Sequence, residues 1–431
     1  MKTDMAHTIE NVACTVCGCV CDDLRITVDG GRVTHAENAC RLAEPWFLAQ
    51  ETRHPPTAEI DGRAVPLETA LDRAADILRH SRSPLVYGLS RSSTEGQQAA
   101  VAIADRIGAT IDTTASLGHA PAIVALQEAG ESVCTLGEVK NRADLVIFWG
   151  SDPVESHPRH FERYSVDARG LFTPGGRADR TIVVADVRPT ASSAAADIFL
   201  PIEPGRDFEA LWTLRGLLRG LAPEAGAVVG APIEMLTNLA QRMKACRFGV
   251  AFFGLGLSRG GHRTVEALLR LVTDLNDYTR FYARRMRVSG DVTGADSVLA
   301  WQTGYPFSVN LGRGYPRFNP GEFSAQDMLL RGEVDACLLV GSQGVRRFTP
   351  EAKESLRRIP TIVLDGPMVE PLLAPTVRIT TAVYGFHLPG VVYRMDEVPI
   401  PLRAVLPTEY PSDGDVLQEL MKRLGYRRAA T

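Results

Sequence analysis

The chain has 431 residues, 45% hydrophobic and 23% charged, with a net charge of −4. This length suggests more than one core, roughly two to four domains, and the composition is that of a soluble globular protein. The slight acidity argues against a nucleic-acid binder, and no apolar run reaches the length of a membrane span. Eight cysteines, five of them crowded near the start, fit a reducing cytoplasm better than a secreted disulfide scaffold.

The crowded stretch reads Cys14-Thr-Val-Cys17-Gly-Cys19-Val-Cys21-Asp-Asp23, with Asn38-Ala-Cys40-Arg41 further on. Cys14, Cys17 and Cys21 have C-x2-C-x3-C spacing. Between Cys21 and Cys40 lie two strand-like runs separated by Asp29-Gly30-Gly31, residues that supply the positive φ of a tight turn. Such a hairpin would carry Cys40 back beside the first three cysteines. Four converging thiolates suit a [4Fe-4S] cluster or a four-cysteine zinc site, or mark a site that has lost its metal. Cys19 is a fifth, spare thiol.

A helix is expected over 42–52, then a Pro-rich break and a second small hairpin around Asp61-Gly62. Apolar residues at helical spacing over 66–78 open an α/β region. Continuous apolar runs predict strands at 85–88, 109–112, 144–149, 181–185, 248–253, 336–340 and 360–364, each of the kind covered on both faces of a parallel sheet. Helical patterns alternate with them at 95–107, with Ser92, Ser93 and Thr94 available as caps, at 264–275 and at 350–358. Several strands end in Gly or polar turns, where open parallel sheets bind ligands. None of these turns is a G-x-G-x-x-G fingerprint or a P-loop in the right context.

Residues 280–322 are rich in Gly, Pro, Arg and aromatics, with weak periodicity. They read as a long irregular segment that presents Arg284, Arg285, Arg287, Arg313 and Arg317. Arg346 and Arg347, after the strand at 336–340, could join this basic track. Arginines suit planar anions such as carboxylates and phosphates. The tail, 412–424, reads as a capped amphipathic helix ending at Gly425. The expected architecture is α/β with several domains. A small Cys-rich β module spans 1–65. Two open, mostly parallel Rossmann-like units follow at 66–240, open to interruption, and at 241–431, whose C-terminal segment returns to the core.

The runs Cys-x2-Cys-Gly-x2-Cys-Asp-Asp, Asn38-Ala-Cys-Arg41, Gly108-Ala-Thr-Ile-Asp112, Cys134-Thr-Leu-Gly-Glu138, His157-Pro-Arg-His160, Gly304-Tyr-Pro306 and Arg317-Phe-Asn-Pro-Gly-Glu322 carry a resemblance. Together they resemble the B subunit of formylmethanofuran dehydrogenase, within the molybdopterin oxidoreductases, over nearly the whole chain. The resemblance implies a fold without the C-terminal β-barrel of most such enzymes. It also implies a tungsten or molybdenum atom held by two pterin guanine dinucleotides and one Cys or selenocysteine. At the place of that ligand this chain reads Ala115-Ser-Leu-Gly118-His119-Ala-Pro121, and glycine has no donor. Residues 363–371 and 385–390 carry bulky apolar residues and prolines where relatives have polar pterin-binding groups.

These departures look most like the B subunit of the bacterial formyltransferase/hydrolase complex of methylotrophs. The resemblance then implies a non-redox, largely structural subunit in formaldehyde-to-formate one-carbon metabolism, with no tungsten, molybdenum or pterin. It implies a cytoplasmic hetero-oligomer with A, C and D subunits, of which A is amidohydrolase-like and D is a formyltransferase, without nucleic acid or membrane. A methanofuran-like cofactor with glutamyl carboxylates would meet Arg284, Arg285, Arg287, Arg313 and Arg317. Cys14, Cys17, Cys21 and Cys40 match the cluster ligands. The alternative is an active tungsten or molybdenum oxidoreductase.

Overall fold

The computed structural model describes residues 6–288 and 290–425, which divide into two compact units. Among these residues the first comprises 6–117, 290–394 and 399–425, and the second comprises 118–288 with 395–398.

In the first unit, strands His7–Val12, Leu24–Asp29 and Arg32–Glu37 form a small antiparallel sheet. The turn between the last two uses Gly30 at φ +58° and Gly31 at φ +76°, so the expected hairpin forms. A second, nine-stranded sheet is the body of the unit. Its five central strands are parallel, in the order Thr110–Thr113, Pro84–Gly88, Ala336–Val340, Thr361–Asp365 and Val377–Thr380. Short antiparallel strands close both edges: Val309–Asn310 with Arg317–Phe318 on one side, and Ala58–Ile60 with Arg63–Ala64 on the other.

The central strands are apolar at nearly every position because both faces are covered. Val86, Leu338 and Leu364 point into one core with helices Leu67–His80, Thr94–Ile107, Val292–Thr303 and Asp413–Leu424. Their neighbours Leu85, Tyr87, Leu339 and Val363 point into the opposite core with Ala325–Leu330 and Pro350–Arg357. Ser93 caps the helix Thr94–Ile107 by accepting from the Gly96 N–H at 3.1 Å.

The second unit is a five-stranded, wholly parallel sheet. Its order is Ile198–Pro201, Thr181–Asp186, Leu145–Trp149, Phe248–Phe253 and Arg280–Arg285. Helices Ala120–Ala129, Asp207–Leu218 and His262–Leu275 pack on it through one contiguous apolar core. The expectation of an irregular segment over 280–322 is corrected here. Residues Arg280–Arg285 are an edge strand, and Val292–Thr303 is a helix nearly all of whose first two turns are buried. No helix among the described residues is long and apolar enough to cross a membrane.

Candidate functional site

The cysteine module is built by the small hairpin. The Cys14 N–H donates to the Cys21 carbonyl at 2.8 Å, closing a loop whose inner turn is set by the Val20 N–H on the Cys17 carbonyl at 3.2 Å. Val20 adopts φ +40°, unusual for a β-branched residue, and is fully buried. The Cys40 carbonyl accepts from the Ala43 and Glu44 N–H groups, both at 2.9 Å, so Cys40 is fixed to the start of the helix Ala43–Ala49.

Cys14, Cys17 and Cys21 are buried and Cys40 is half-buried, and none of the four is in a disulfide. Burial pushes the Cys14 thiol well up, and the thiols of Cys17, Cys21 and Cys40 push it further, so Cys14 lies within electrostatic reach of each of the other three. Cys17 shifts the other way, because Cys19 hydrogen-bonds to it and the Arg91 guanidinium favours its thiolate. The Val16 N–H also points at Cys14 Sγ, 3.5 Å away.

Among the described residues no three His, Cys, Asp or Glu side chains are arranged around one metal ion. A tetrahedral zinc with Zn–S bonds of about 2.3 Å would need its sulfurs about 3.8 Å apart. A [4Fe-4S] cube carries its thiolates on four separate irons and takes a wider set. In residue type the four cysteines are the donor set such a cube takes, and Cys14, Cys17, Cys21 and Cys40 would hold it. When bound, such a cluster supplies one-electron transfer.

The carboxyl ends of the parallel strands in the first unit surround a cavity of about 660 Å³. Arg53, Arg91, Thr114, Gln343, Arg346 and Arg347 line it, together with Met368 and Val369 from the apolar turn. Arg53 is occupied by Glu370 at 2.7 Å, and Arg91 also donates to the Thr15 carbonyl of the cysteine loop at 3.2 Å. The guanidiniums of Arg91, Arg346 and Arg347 give the cavity a basic lining of the kind that suits anions, beside Glu370, which also lines it. Behind it, burial raises the carboxyls of Asp112 and Asp365 to about 6. Asp112 accepts from the Ser308 and Ala325 N–H groups at 2.9 and 2.8 Å; Asp365 accepts from the Ser342 N–H and Oγ at 2.8 and 2.6 Å.

Gly118 and His119 lie in the second unit, ahead of the helix Ala120–Ala129. His119 is buried. Gly118 does not have a positive φ, so its backbone does not require glycine. A β-carbon at 118 would sit 2.9 Å from Leu255 Cδ2, so that leucine fills the space a ligand side chain would use. No side-chain donor for tungsten or molybdenum is present at this position.

The arginines separate into two groups. Arg284, Arg285 and Arg287 are buried in the second unit. Arg284 donates to Glu397 Oε2 at 2.8 Å and to the Met395 carbonyl at 2.6 Å, and Arg285 meets Glu131 Oε2 at 2.8 Å. Arg313 and Arg317 belong to the first unit; Arg313 is exposed, while Arg317 donates to Asn310 Oδ1 at 2.5 Å and stacks over Phe323. Sequence reasoning missed Arg53 and Arg91. Arg91 follows a strand end closely, which was the available signal; Arg53 carried none.

His157 and His160 are fully buried. His157 lies 2.8 Å from Ser156 Oγ and 2.7 Å from the Arg287 carbonyl, and His160 Nδ1 lies 2.8 Å from Ser165 Oγ. Burial lowers His157 to about 4 and His160 well below its ordinary range, which favours the neutral form of both rings.

A fold that combines two largely parallel sheets with further small elements is also that of acetylene hydratase from Pelobacter acetylenicus. The two superpose with a TM-score of 0.67 over 97% of this chain and 69% of that one, at 11% identity, a likeness of fold alone. A chain in the crystal structure of the formyltransferase/hydrolase complex of Methylorubrum extorquens, solved with methylofuran, superposes with a TM-score of 0.73. It is 25% identical, and the match covers 85% of this chain and 98% of that one.

In sequence, the B subunit of the tungsten-containing formylmethanofuran dehydrogenase 2 of Methanocaldococcus jannaschii is 39% identical over 97% of this chain and 99% of its own length. The B subunit of the Methylorubrum extorquens formyltransferase/hydrolase complex is 27% identical over 66% of this chain and 74% of its own. No protein-family model matches the chain. The chain belongs to the family of formylmethanofuran dehydrogenase B subunits, which is related to the B subunit of the formyltransferase/hydrolase complex.

Proposed function

We propose that this chain is the B subunit of a formyltransferase/hydrolase-type assembly in one-carbon metabolism, and that it organises partner subunits and a formyl carrier without doing redox chemistry. The observation that carries this reading is Gly118. The position matched to the family's metal ligand has no side chain, and Leu255 Cδ2 lies 2.9 Å from where its β-carbon would be. The partners are amidohydrolase-like A, C and formyltransferase D subunits, with a methanofuran-like carrier. Of the arginines, the exposed Arg313, Arg346 and Arg347 are the ones we assign to the carrier's carboxylates. Arg284 and Arg285 already have glutamate partners.

Several observations favour a second reading, a tungsten- or molybdenum-dependent oxidoreductase, beginning with 39% identity to a tungsten-containing B subunit against 27% to the formyltransferase/hydrolase one. The arginine-lined cavity and the four cysteines also support it, being residue types that suit a pterin dinucleotide and a cluster. Elemental analysis and pterin extraction of the purified assembly separate the two. The first reading expects neither tungsten nor molybdenum and no extractable pterin, with transfer and hydrolysis of a formyl group by the assembly. Stoichiometric metal with pterin would establish the second. Iron and sulfide at about four each per chain would assign the cysteine site to a cluster in either case.

A further inference from the structure

The second unit carries an aromatic and basic surface that neither reading uses. Phe208 and Trp212, one turn apart on Asp207–Leu218, stack in the open at 5.4 Å and 15°. Trp212 is 49% exposed and Leu221 62% exposed. Together with Arg215, Arg219 and Arg270, Trp212 and Leu221 line a groove of about 350 Å³. The Arg215 guanidinium lies over the Trp212 ring at 4.4 Å, which holds the indole in place.

The groove is short of carboxylates. Arg215 and Arg219 share one, Asp274, at 2.7 and 3.0 Å. Arg270 pairs with Glu266 at 2.7 Å, which Arg263 also takes at 2.7 Å. Each acid is thus divided between two guanidiniums, and Arg219 keeps a largely exposed side chain. Exposed Trp beside Arg is the composition of the residues that dominate binding in protein interfaces. The chain's net charge of −4 opposes a nucleic acid, which needs a long basic track and not one short groove.

We propose that this groove docks an acidic segment of a partner subunit, with one apolar side chain between Trp212 and Leu221 and its flanking carboxylates on Arg219 and Arg270. The proposal rests on the chain working within an assembly. The test uses the chain co-expressed and purified with its partner subunits, carrying a photo-reactive diazirine amino acid in place of Leu221. Illumination and mass spectrometry should recover a cross-link to one partner subunit, within a segment where Asp or Glu flanks an apolar residue.

Arg219→Glu should weaken retention of that subunit on the order of ten-fold, and a Lys in place of the captured acid should restore it. Arg219 is exposed and Asp274 keeps its 2.7 Å contact with Arg215, so the variant should still fold, which a thermal melt of the assembly checks; Trp212→Ala should weaken the same contact. Cross-linking to a second copy of this chain would overturn the proposal. So would no cross-link with Trp212 still open to oxidation in the intact assembly, or unchanged retention in Arg219→Glu. A chain that purifies with no partner would overturn the assembly reading as well, whereas an intact assembly with an open groove overturns only this inference.

Discussion

Removing Glu131 tests how the second unit tolerates its buried arginines. The Glu131 side chain is 2% exposed and the Arg285 side chain 8%, and their charged atoms meet at 2.8 Å. Neither Glu131 oxygen has an aligned hydrogen bond, so the contact holds by charge. Burial pulls the Arg285 guanidinium down, Glu131 pushes it back up, and the neighbouring Arg287 and Arg284 add repulsion. At an effective dielectric of about 20, unit charges 2.8 Å apart attract by about 6 kcal/mol, and desolvation of both ions offsets much of that.

Taking away Glu131 leaves buried Arg285 with only the half-exposed Glu397, 3.7 Å away, so most of its desolvation is uncompensated and Glu131→Ala should cost about 3 kcal/mol. That is a large part of the roughly 5–15 kcal/mol typical of a whole domain. The double change Glu131→Leu with Arg285→Met should return to within about 1 kcal/mol of the parent, because neither charge then needs burying. Denaturant titration, with hydrogen exchange of the strand Arg280–Arg285 as the local readout, measures both. A single-variant loss below about 1 kcal/mol, or a double variant that loses as much as the single, would refute the reasoning.

The two units should respond oppositely to mild acid. Burial raises Asp112, Asp365 and Asp413 to about 6 and Asp291 to about 7, all in the first unit; their stability is full below about pH 4 and lost as pH rises through 6–7. His157 and His160 are lowered in the second unit, His157 to about 4; their stability is full above about pH 6.5 and lost as pH falls toward 4. From about pH 7 to about pH 5, exchange protection should therefore rise in the first unit and fall in the second. Gly88→Ala should lower stability by more than about 2 kcal/mol in a thermal melt, because φ is +119° and a β-carbon would sit 2.4 Å from the Val340 carbonyl oxygen. Arg180→Lys should lose about 2–4 kcal/mol by denaturant titration, since Arg180 serves the carbonyls of Lys140, Ala143, Val166 and Ala168 and the Thr173 hydroxyl, and an ammonium has only three donors.

What was legible in the sequence was whatever leaves a local trace. The central strands are apolar on both faces, so runs such as Leu85-Val-Tyr and Ala336-Cys-Leu-Leu-Val identify themselves. Asp29-Gly30-Gly31 and Asp61-Gly62 marked two hairpins by their need for positive φ. The strand Arg280–Arg285 was hidden because the guanidiniums of Arg284 and Arg285 are neutralised by Glu397 and Glu131, both distant in the chain. A reading that treats Arg as a surface residue cannot find such a strand. The helix Val292–Thr303 was hidden because it is covered on several sides and lacks a polar face. The cavity draws Arg53, Arg91, Arg346 and Arg347 from three separate stretches, which only the parallel order of the sheet brings to one end.

Gly118 shows how little of the fold depends on the identity of that residue. Its φ is not in the left-handed region, and the one close neighbour of a β-carbon there is a terminal methyl of Leu255. A side chain at 118 would require a leucine rotamer to change, not the backbone. In contrast, Gly88, Gly150 and Gly290 combine positive φ with backbone carbonyl or amide atoms no more than 2.5 Å from where a β-carbon would lie, so the fold itself demands glycine at each. The absence of a donor at 118 is therefore a matter of chemistry and not of architecture. The sheets, the arginine-lined cavity and the cysteine loop can stay intact while position 118 supplies no ligand. That separation would allow a catalytic framework to persist as an organising subunit, and it makes metal content the measurement that decides between the two readings, since the fold would be the same either way.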